Sequence, residues 1–244
     1  MRQDGVLTDR VAIVTGAGRG IGKSIALALA AHGAAVALVA RTKAELESVR
    51  NQIEAGGGRG LVLRADVSIE GDVASAVKTT VAALGRLDIL VNNAGTGVFG
   101  PLVETTTNTW DHVMNVNARG TFLFCREAVP YLRQQDRATI VNIVSVVGHK
   151  GYPNQAVYSA SKHAVMGMTK ALAKEVQMDG IRVHAICPGG VDTNLIRDAR
   201  PDLDVSVLMQ PEEIADIVLF LVTRNGNAVI DEIRVRRSAS LPWA

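Results

Sequence analysis

Seven short apolar runs punctuate the chain, and each of the first six precedes a stretch of helical periodicity. The runs are RVAIVT at 10–15, Val36–Ala40, GLVLRAD at 60–66, LDILVNN at 87–93, TIVNIV at 139–144, residues 182–186, and a last one near 228–234. They do not alternate apolar with polar as a strand with one wet face would. Strands apolar on both sides need cover on both sides, and a parallel sheet between two layers of helices supplies it. The helical segments, 21–31, 43–55, 70–84, 109–134, 155–178 and 211–223, lie on connections long enough for right-handed crossovers. The expected fold class is α/β: a doubly wound, seven-stranded parallel sheet flanked by helices, with residues 1–244 as a single domain. Gly/Pro-rich stretches fall at strand ends, where they read as loops. Pro130 predicts a kink in the fourth helix or an end near Val129, and Gly180 reads as a helix C-cap.

Composition narrows the function. At 244 residues the chain can bury roughly 70–75% of its extended surface. Hydrophobic residues make up 48% and aromatics only 4%, which favours an aliphatic core over an aromatic binding groove. A net charge of +2 with scattered basic residues lacks the cationic track that nucleic acid requires, so no nucleic acid is expected as partner. Two cysteines make no disulfide framework. The N-terminus MRQDGVLTDR has no apolar signal core and no run is long enough to span a membrane, so a cytoplasmic location is expected. Histidines at 32, 112, 149, 163 and 184 show no metal-ligand spacing, and no metal is expected.

Directly after the first strand comes TGAGRGIG, residues 15–22. Gly16 allows a tight turn, Gly20 lets backbone approach a pyrophosphate, and Gly22 permits close packing of helix on sheet. The helix that starts here directs free amides at phosphate oxygens. This is the dinucleotide turn of a Rossmann fold, although a flavin, another nucleotide or a structural turn would use the same glycines. At the end of the second strand, Ala40 and Arg41 stand where a carboxylate would hold the ribose hydroxyls of NAD. Arg41, with Arg19, suits a 2′-phosphate and so NADP, unless Arg41 is only a solvated strand end. Asp66 either receives the adenine amino group or caps the turn that enters the next helix. NNAG at 92–95 lies where ligands collect in such sheets, or merely satisfies loop backbone.

Residues 158–162 read YSASK, which sets a phenol and an ammonium one turn apart on one helix face. Alone they are a surface pair. Beside a nucleotide crevice, with Ser145 at the end of the fifth strand, they form a proton-transfer site. Ser145 holds or polarises a carbonyl oxygen, Tyr158 trades the proton, and Lys162 favours the ionised phenol, whose ordinary pKa is about 10. Asn117 either is an ordinary buried polar residue or holds a water that links Lys162 to solvent.

TGAGRGIG, NNAG, Asn117, VSVVG with Ser145, YSASK, and PGGVDT at 188–193 together resemble the short-chain dehydrogenase/reductase family over about residues 7–235. The resemblance implies a catalytic tetrad of Asn117, Ser145, Tyr158 and Lys162. It implies a cofactor site of Gly16, Gly18, Arg19, Gly20, Ile21, Arg41, Asp66, Val67, Asn93, Ala94, Gly95, Tyr158, Lys162, Pro188, Gly189, Val191 and Thr193. Ala40 followed by Arg41 is similar to the NADP-preferring pattern. The expected activity is NADP(H)-dependent hydride transfer between a ketone and a secondary alcohol, by a homotetramer or homodimer packed through the fourth and fifth long helices. A 3-oxoacyl-[acyl-carrier-protein] or 3-oxoacyl-CoA reductase, then a polyol or sugar dehydrogenase, are the alternatives; outside enzymes, a silent nucleotide-binding relative.

The tail departs from the acyl-carrier members, since NAVIDEIRVRRSASLPWA replaces their threonine-glycine and DGG ending. Residues 194–210 read as a substrate lid, in which Leu195, Ile196, Leu203 and Leu208 cover an apolar substrate or pack the lid to the body. His149 and Tyr152 read as pocket-facing. Arg234, Arg236 and Arg237 form a solvated edge or attract an acidic protein, and Trp243 is an anchor or a loose end.

Overall fold

The computed structural model describes residues 5–199 and 204–242. Seven strands form one parallel sheet in the order β3-β2-β1-β4-β5-β6-β7. They are β1 Val11–Thr15, β2 Ala35–Ala40, β3 Arg59–Arg64, β4 Ile89–Asn92, β5 Ala138–Ile143, β6 Ile181–Pro188 and β7 Glu232–Val235. The helices are α1 Gly20–Ala31, α2 Lys43–Ala55, α3 Glu70–Leu84, α4 Thr107–Met114, α5 Gly120–Leu132, α6 Ala156–Glu175, α7 Asn194–Ala199 and α8 Pro211–Thr223.

The two-faced apolar strands do what the sequence predicts. Ala12 and Val14 of β1 pack with Ile25, Leu29 and Val218 of α1 and α8 on one face. Ile13, between them, packs on the other face with Val77, Leu123 and Phe124 of α3 and α5. Each of the buried Val, Leu, Ile and Phe side chains contributes roughly 1.5–3 kcal/mol of burial, so the sandwich holds the strand ends in fixed positions. The order reverses at β1, which pairs with β2 on one side and β4 on the other. The crevice of a doubly wound sheet opens there, beyond the C-terminal ends of the strands.

At the opposite end, Asp88 is a buried clasp. Its carboxylate accepts from the Val11 amide at 2.9 Å, from Arg10 at 2.8 Å, and from Arg86 at 2.7 and 2.8 Å. It ties the starts of β1 and β4 together with charge-assisted bonds.

The fourth helical segment differs from expectation in three ways. It begins two residues earlier, because Thr106 caps it by accepting from the Thr109 amide at 3.1 Å. Its middle, Asn115–Arg119, is a π-type turn that inserts an extra residue and rotates Asn117 to the interior. Pro130 neither ends it nor breaks its last turn: α5 runs to Leu132, and the Arg133 amide reaches the Val129 carbonyl at 3.0 Å. So near a C-terminus, proline removes a single ladder bond. The expected helix 155–178 stops at Glu175; a 3-10 turn follows, closed by Gly180 at φ +73. No helix among the described residues is long and apolar enough to cross a membrane.

Candidate active site

The glycine turn is built around Asn93. Its side-chain amide donates to the Thr15 carbonyl at 2.9 Å, and the Thr15 hydroxyl accepts from the Asn93 and Ala94 amides, both at 2.9 Å. NNAG is thereby welded to the end of β1. Gly22 is forced: a Cβ there would lie 2.2 Å from the Gly16 carbonyl oxygen and 2.5 Å from Asn93 Nδ2. Gly16 adopts φ +66 and Gly20 φ +52, and a Cβ on Gly20 would meet Thr193 at 3.2 Å. So the first turn and the 188–193 segment face each other across the crevice.

The start of α1 has no side-chain cap and no acidic residue in its first turn. Its leading amides therefore remain available to an anion. Arg41 is exposed at the end of β2. Arg19, 65% exposed, has a partner that sequence reasoning missed: Glu45 of α2, 3.7 Å away and packed against Gly18. Glu45 carries no local motif, because the meeting is made by the α2 crossover.

Asp66 takes the capping alternative within the chain. Its Oδ1 accepts from the Ser68 amide at 2.9 Å and the Ser68 hydroxyl at 2.7 Å. Partial burial works against its ionisation, but those two bonds, with Arg41 and His112 at longer range, leave the carboxyl below its ordinary range. Val67, buried, packs on Gly120.

Across the crevice, Ser145 follows β5. Its hydroxyl donates to the Pro188 carbonyl at 3.3 Å, accepts from the Val147 amide at 3.3 Å, and is hydrogen-bonded to Tyr158. Lys162, only 5% exposed, donates from Nζ to the Ile143 carbonyl at 3.0 Å and lies 5.8 Å from the centre of the Tyr158 ring. Phe99, another residue the sequence did not flag, meets that ring edge-on at 5.4 Å.

Asn117 has both side-chain amide protons and one of its two oxygen lone pairs committed within the chain. Its Oδ1 accepts from the Thr96 amide at 2.8 Å, and its Nδ2 donates to the Thr96 carbonyl at 2.8 Å and to Ser161 at 2.9 Å. It locks the loop after β4 onto α6, the helix that carries Tyr158 and Lys162. A Cβ on Gly95 would stand 3.4 Å from Asn117 Oδ1 and 3.6 Å from Lys162 Nζ.

The electrostatics differ from the sequence expectation of an acidified phenol. Burial pushes the Tyr158 hydroxyl up to about 12, and the bond to Ser145 only partly opposes it. Burial likewise brings Lys162 down to about 8. In the bare chain desolvation is the largest cause for both groups, so each is driven towards its uncharged form.

The remaining expectations divide. Pro188, Gly189, Val191 and Thr193 line the far wall: the Gly189 amide is held by Val235 at 2.8 Å, and Val191 bridges to Met209. Leu208 is buried against Gly190, so it packs the lid to the body. Leu195 and Ile196 are half-buried on α7; Leu203 and Trp243 lie outside the described residues. Tyr152 is exposed. His149 turns towards Glu232 at the start of β7 rather than towards Tyr158 and Ser145. Arg234 pairs with Glu232, and Arg236 donates to the carbonyls of residues 237, 238 and 240 in the tail.

The model of the family described as short chain dehydrogenase matches residues 10–204. A 3-oxoacyl-[acyl-carrier-protein] reductase of Synechocystis sp. is 39% identical over 230 residues, covering 92% of this chain and 93% of that protein. Among solved structures, a metagenomic short-chain oxidoreductase in complex with NADP is 35% identical, with TM-score 0.85, covering 96% of this chain and 99% of that one. An alcohol dehydrogenase from the archaeon Thermococcus sibiricus, complexed with 5-hydroxy-NADP, is 28% identical, with TM-score 0.89, covering 96% and 98%.

Proposed function

The chain belongs to the short chain dehydrogenase family and is an oxidoreductase; from that premise we propose that it uses NADP(H) to interconvert a small ketone and a secondary alcohol, with Tyr158 as acid and base. The observation that carries this reading is the convergence of Ser145, Tyr158 and Lys162 at the strand ends, facing a glycine turn whose helix start is uncapped.

The turn fits a dinucleotide, since its glycines let α1 pack closely on the end of β1 and the leading amides of α1 are left without a side-chain cap. Residues 16–22, Asp66, Val67, Asn93–Gly95 and Pro188–Thr193 would hold it, with Arg19 and Arg41 on the 2′-phosphate. When bound, the nicotinamide supplies or accepts hydride. Ser145 exchanges its long bond to the Pro188 carbonyl for one to the substrate oxygen. Tyr158 then donates its proton to that oxygen as negative charge develops there, and fixed donors stabilise the charge. Lys162, anchored on the Ile143 carbonyl, sets the potential at the phenol and restores its proton. Asn117 positions α6 through Thr96 and Ser161. Residues 194–199 and 204–210, the described parts of the expected lid, would cover the substrate. Exposed Trp110 and Phe122 on α4 and α5, which together make up the expected fourth helix, support a homodimer or homotetramer packed through that helix and α6, the expected fifth.

The test is NADPH and NADH oxidation over a panel of simple ketones, diketones, acetoacetyl thioesters and sugars. Tyr158→Phe should lower kcat by at least about a hundredfold, and kcat/KM should favour NADPH. An unchanged Tyr158→Phe variant refutes the acid–base role, and a strong NADH preference refutes the cofactor. The likeness to a 3-oxoacyl-[acyl-carrier-protein] reductase favours a second substrate reading, 3-oxoacyl thioesters, which the same panel separates.

A further inference from the structure

Three side chains that the proposed hydride transfer does not use meet behind Ser145. Cys187 is the penultimate residue of β6, Glu232 begins β7, and His149 follows the short turn Val146–Gly148 after Ser145. In the β6–β7 register Cys187 stands opposite Arg234, so Glu232, two residues earlier, projects from the same face of the sheet. One atom from each, a ring nitrogen, Sγ and a carboxylate oxygen, lies within 4.8 Å of the other two.

The histidine geometry is unusual for an ion pair. His149 Nε2 lies 2.8 Å from Glu232 Oε1. Yet the contact is too poorly aligned to satisfy that buried nitrogen, and the same carboxylate oxygen already accepts from Arg234. Nitrogen and oxygen therefore meet as a weak, off-line pair, close enough together to be held by one ion. The sulfur is steadied as well, since the Ser145 backbone amide donates to Cys187 Sγ.

We propose that His149, Cys187 and Glu232 form a binding site for a zinc-class divalent ion, bound through Nε2, Sγ and a carboxylate oxygen, with a fourth position open to solvent. Sulfur, imidazole and carboxylate are the donors zinc takes, at about 2.3, 2.0–2.1 and 2.0–2.2 Å. Those lengths set tetrahedral ligand spacings of about 3.3–3.6 Å, so the nitrogen–oxygen pair opens slightly while the sulfur draws in. His149 and Glu232 keep 19% and 22% of their side chains exposed, which leaves an approach from solvent. Binding converts the thiol to a metal thiolate and releases its proton. Arg234 holds the Glu232 carboxylate, and Lys162 is near Cys187. Those cations oppose an ion held by oxygen alone, so magnesium and calcium are excluded in favour of an ion that bonds strongly to sulfur and nitrogen. An occupied site would tether the turn after Ser145 to the edge strand.

The test is a titration of metal-free protein with Co²⁺, followed by absorption. One equivalent should bind, with a thiolate-to-cobalt charge-transfer band and tetrahedral ligand-field bands, and Zn²⁺ should displace it. Cys187→Ser should abolish the charge-transfer band and Cys125→Ser should leave it intact. His149→Gln should weaken binding by more than about tenfold. His149 is partly exposed, so this variant keeps the test decisive if circular dichroism shows that Cys187→Ser misfolds. Absence of a thiolate band, its persistence in folded Cys187→Ser, or equal Co²⁺ affinity in wild type and His149→Gln overturns the proposal and leaves an ion pair beside a buried thiol. The readout does not depend on turnover, so it stands apart from the hydride-transfer reading.

Discussion

Replacing Gly22 by alanine tests the construction of the nucleotide turn. The added methyl would lie 2.2 Å from the Gly16 carbonyl oxygen and 2.5 Å from Asn93 Nδ2. Neither neighbour can step aside. The carbonyl is backbone, and the Asn93 amide is committed to Thr15 at 2.9 Å. Relief requires α1 to lift from the end of β1 by roughly 1 Å, an overpacking that costs about 3 kcal/mol, the upper part of the usual range. For a chain of this size that is a Tm drop of about 6–12 °C. The same movement withdraws the α1 amides from bound phosphate, so NADPH affinity, read by quenching of its fluorescence, should fall at least about tenfold. Gly71→Ala is the control. Gly71 lies in the first turn of α3 with nothing within 4 Å of a Cβ, and alanine there should be neutral or stabilising by up to about 1 kcal/mol. If calorimetry finds the two variants unfolding within about a degree of each other, with equal NADPH affinity, steric closure of the turn is not what requires glycine at position 22.

Three further outcomes follow from named contacts. Glu45→Gln frees Arg19 from a 3.7 Å pair that a 2′-phosphate must otherwise disrupt; an exposed pair is worth up to about 1 kcal/mol, so NADPH should bind up to about fivefold tighter, with NADH unchanged. Asp88→Asn removes the charge that Arg10 and Arg86 share at a fully buried site and should destabilise by about 3 kcal/mol in urea unfolding, without changing cofactor affinity. Lys162 titrates at about 8 in the folded chain against 10.5 ordinarily, so the unfolded chain holds the extra proton between those values and stability from this residue rises with pH there. The Tm of Lys162→Met relative to wild type should therefore be highest below pH 8 and decline towards pH 10; a flat difference would show that Lys162 is not desolvated.

The sheet and its order of elements were legible because both faces of every central strand are covered, and that leaves a continuous apolar run in the sequence. Residues of the reacting site were legible where a short spacing survives in one element, as with Tyr158 and Lys162 on one helix face. What escaped reading is what crossovers bring together. Glu45 meets Arg19, and Phe99 meets Tyr158, through contacts with no periodic signature. His149, Cys187 and Glu232 come from two strands and a turn widely separated in sequence, so no metal-ligand spacing announced them. The π-type turn at Asn115–Arg119 was hidden for another reason. Nothing in its residues, NVNAR, marks an inserted position, and it is held by tertiary bonds from Asn117 to Thr96 and Ser161 and by the Thr121 hydroxyl on the Asn117 carbonyl.

On the proposed roles, the protonation state of the bare site ties turnover to pH. Desolvation leaves the Tyr158 phenol protonated up to about pH 12, so at neutrality it can donate a proton without any prior ionisation. Acting as base is harder, because the ionised phenol must first be stabilised against the same burial. The nearest source of positive charge is Lys162, which still holds its proton at pH 7 with a value of about 8. As pH rises through that value the ammonium is lost, and with it the stabilisation of a tyrosinate. The two groups therefore oppose each other: alkali favours the phenolate intrinsically and removes the charge that supports it. Carbonyl reduction starts from the protonated phenol present near neutrality but leaves the same buried tyrosinate behind, so turnover in either direction depends on the Lys162 ammonium and should fall as pH rises through about 8.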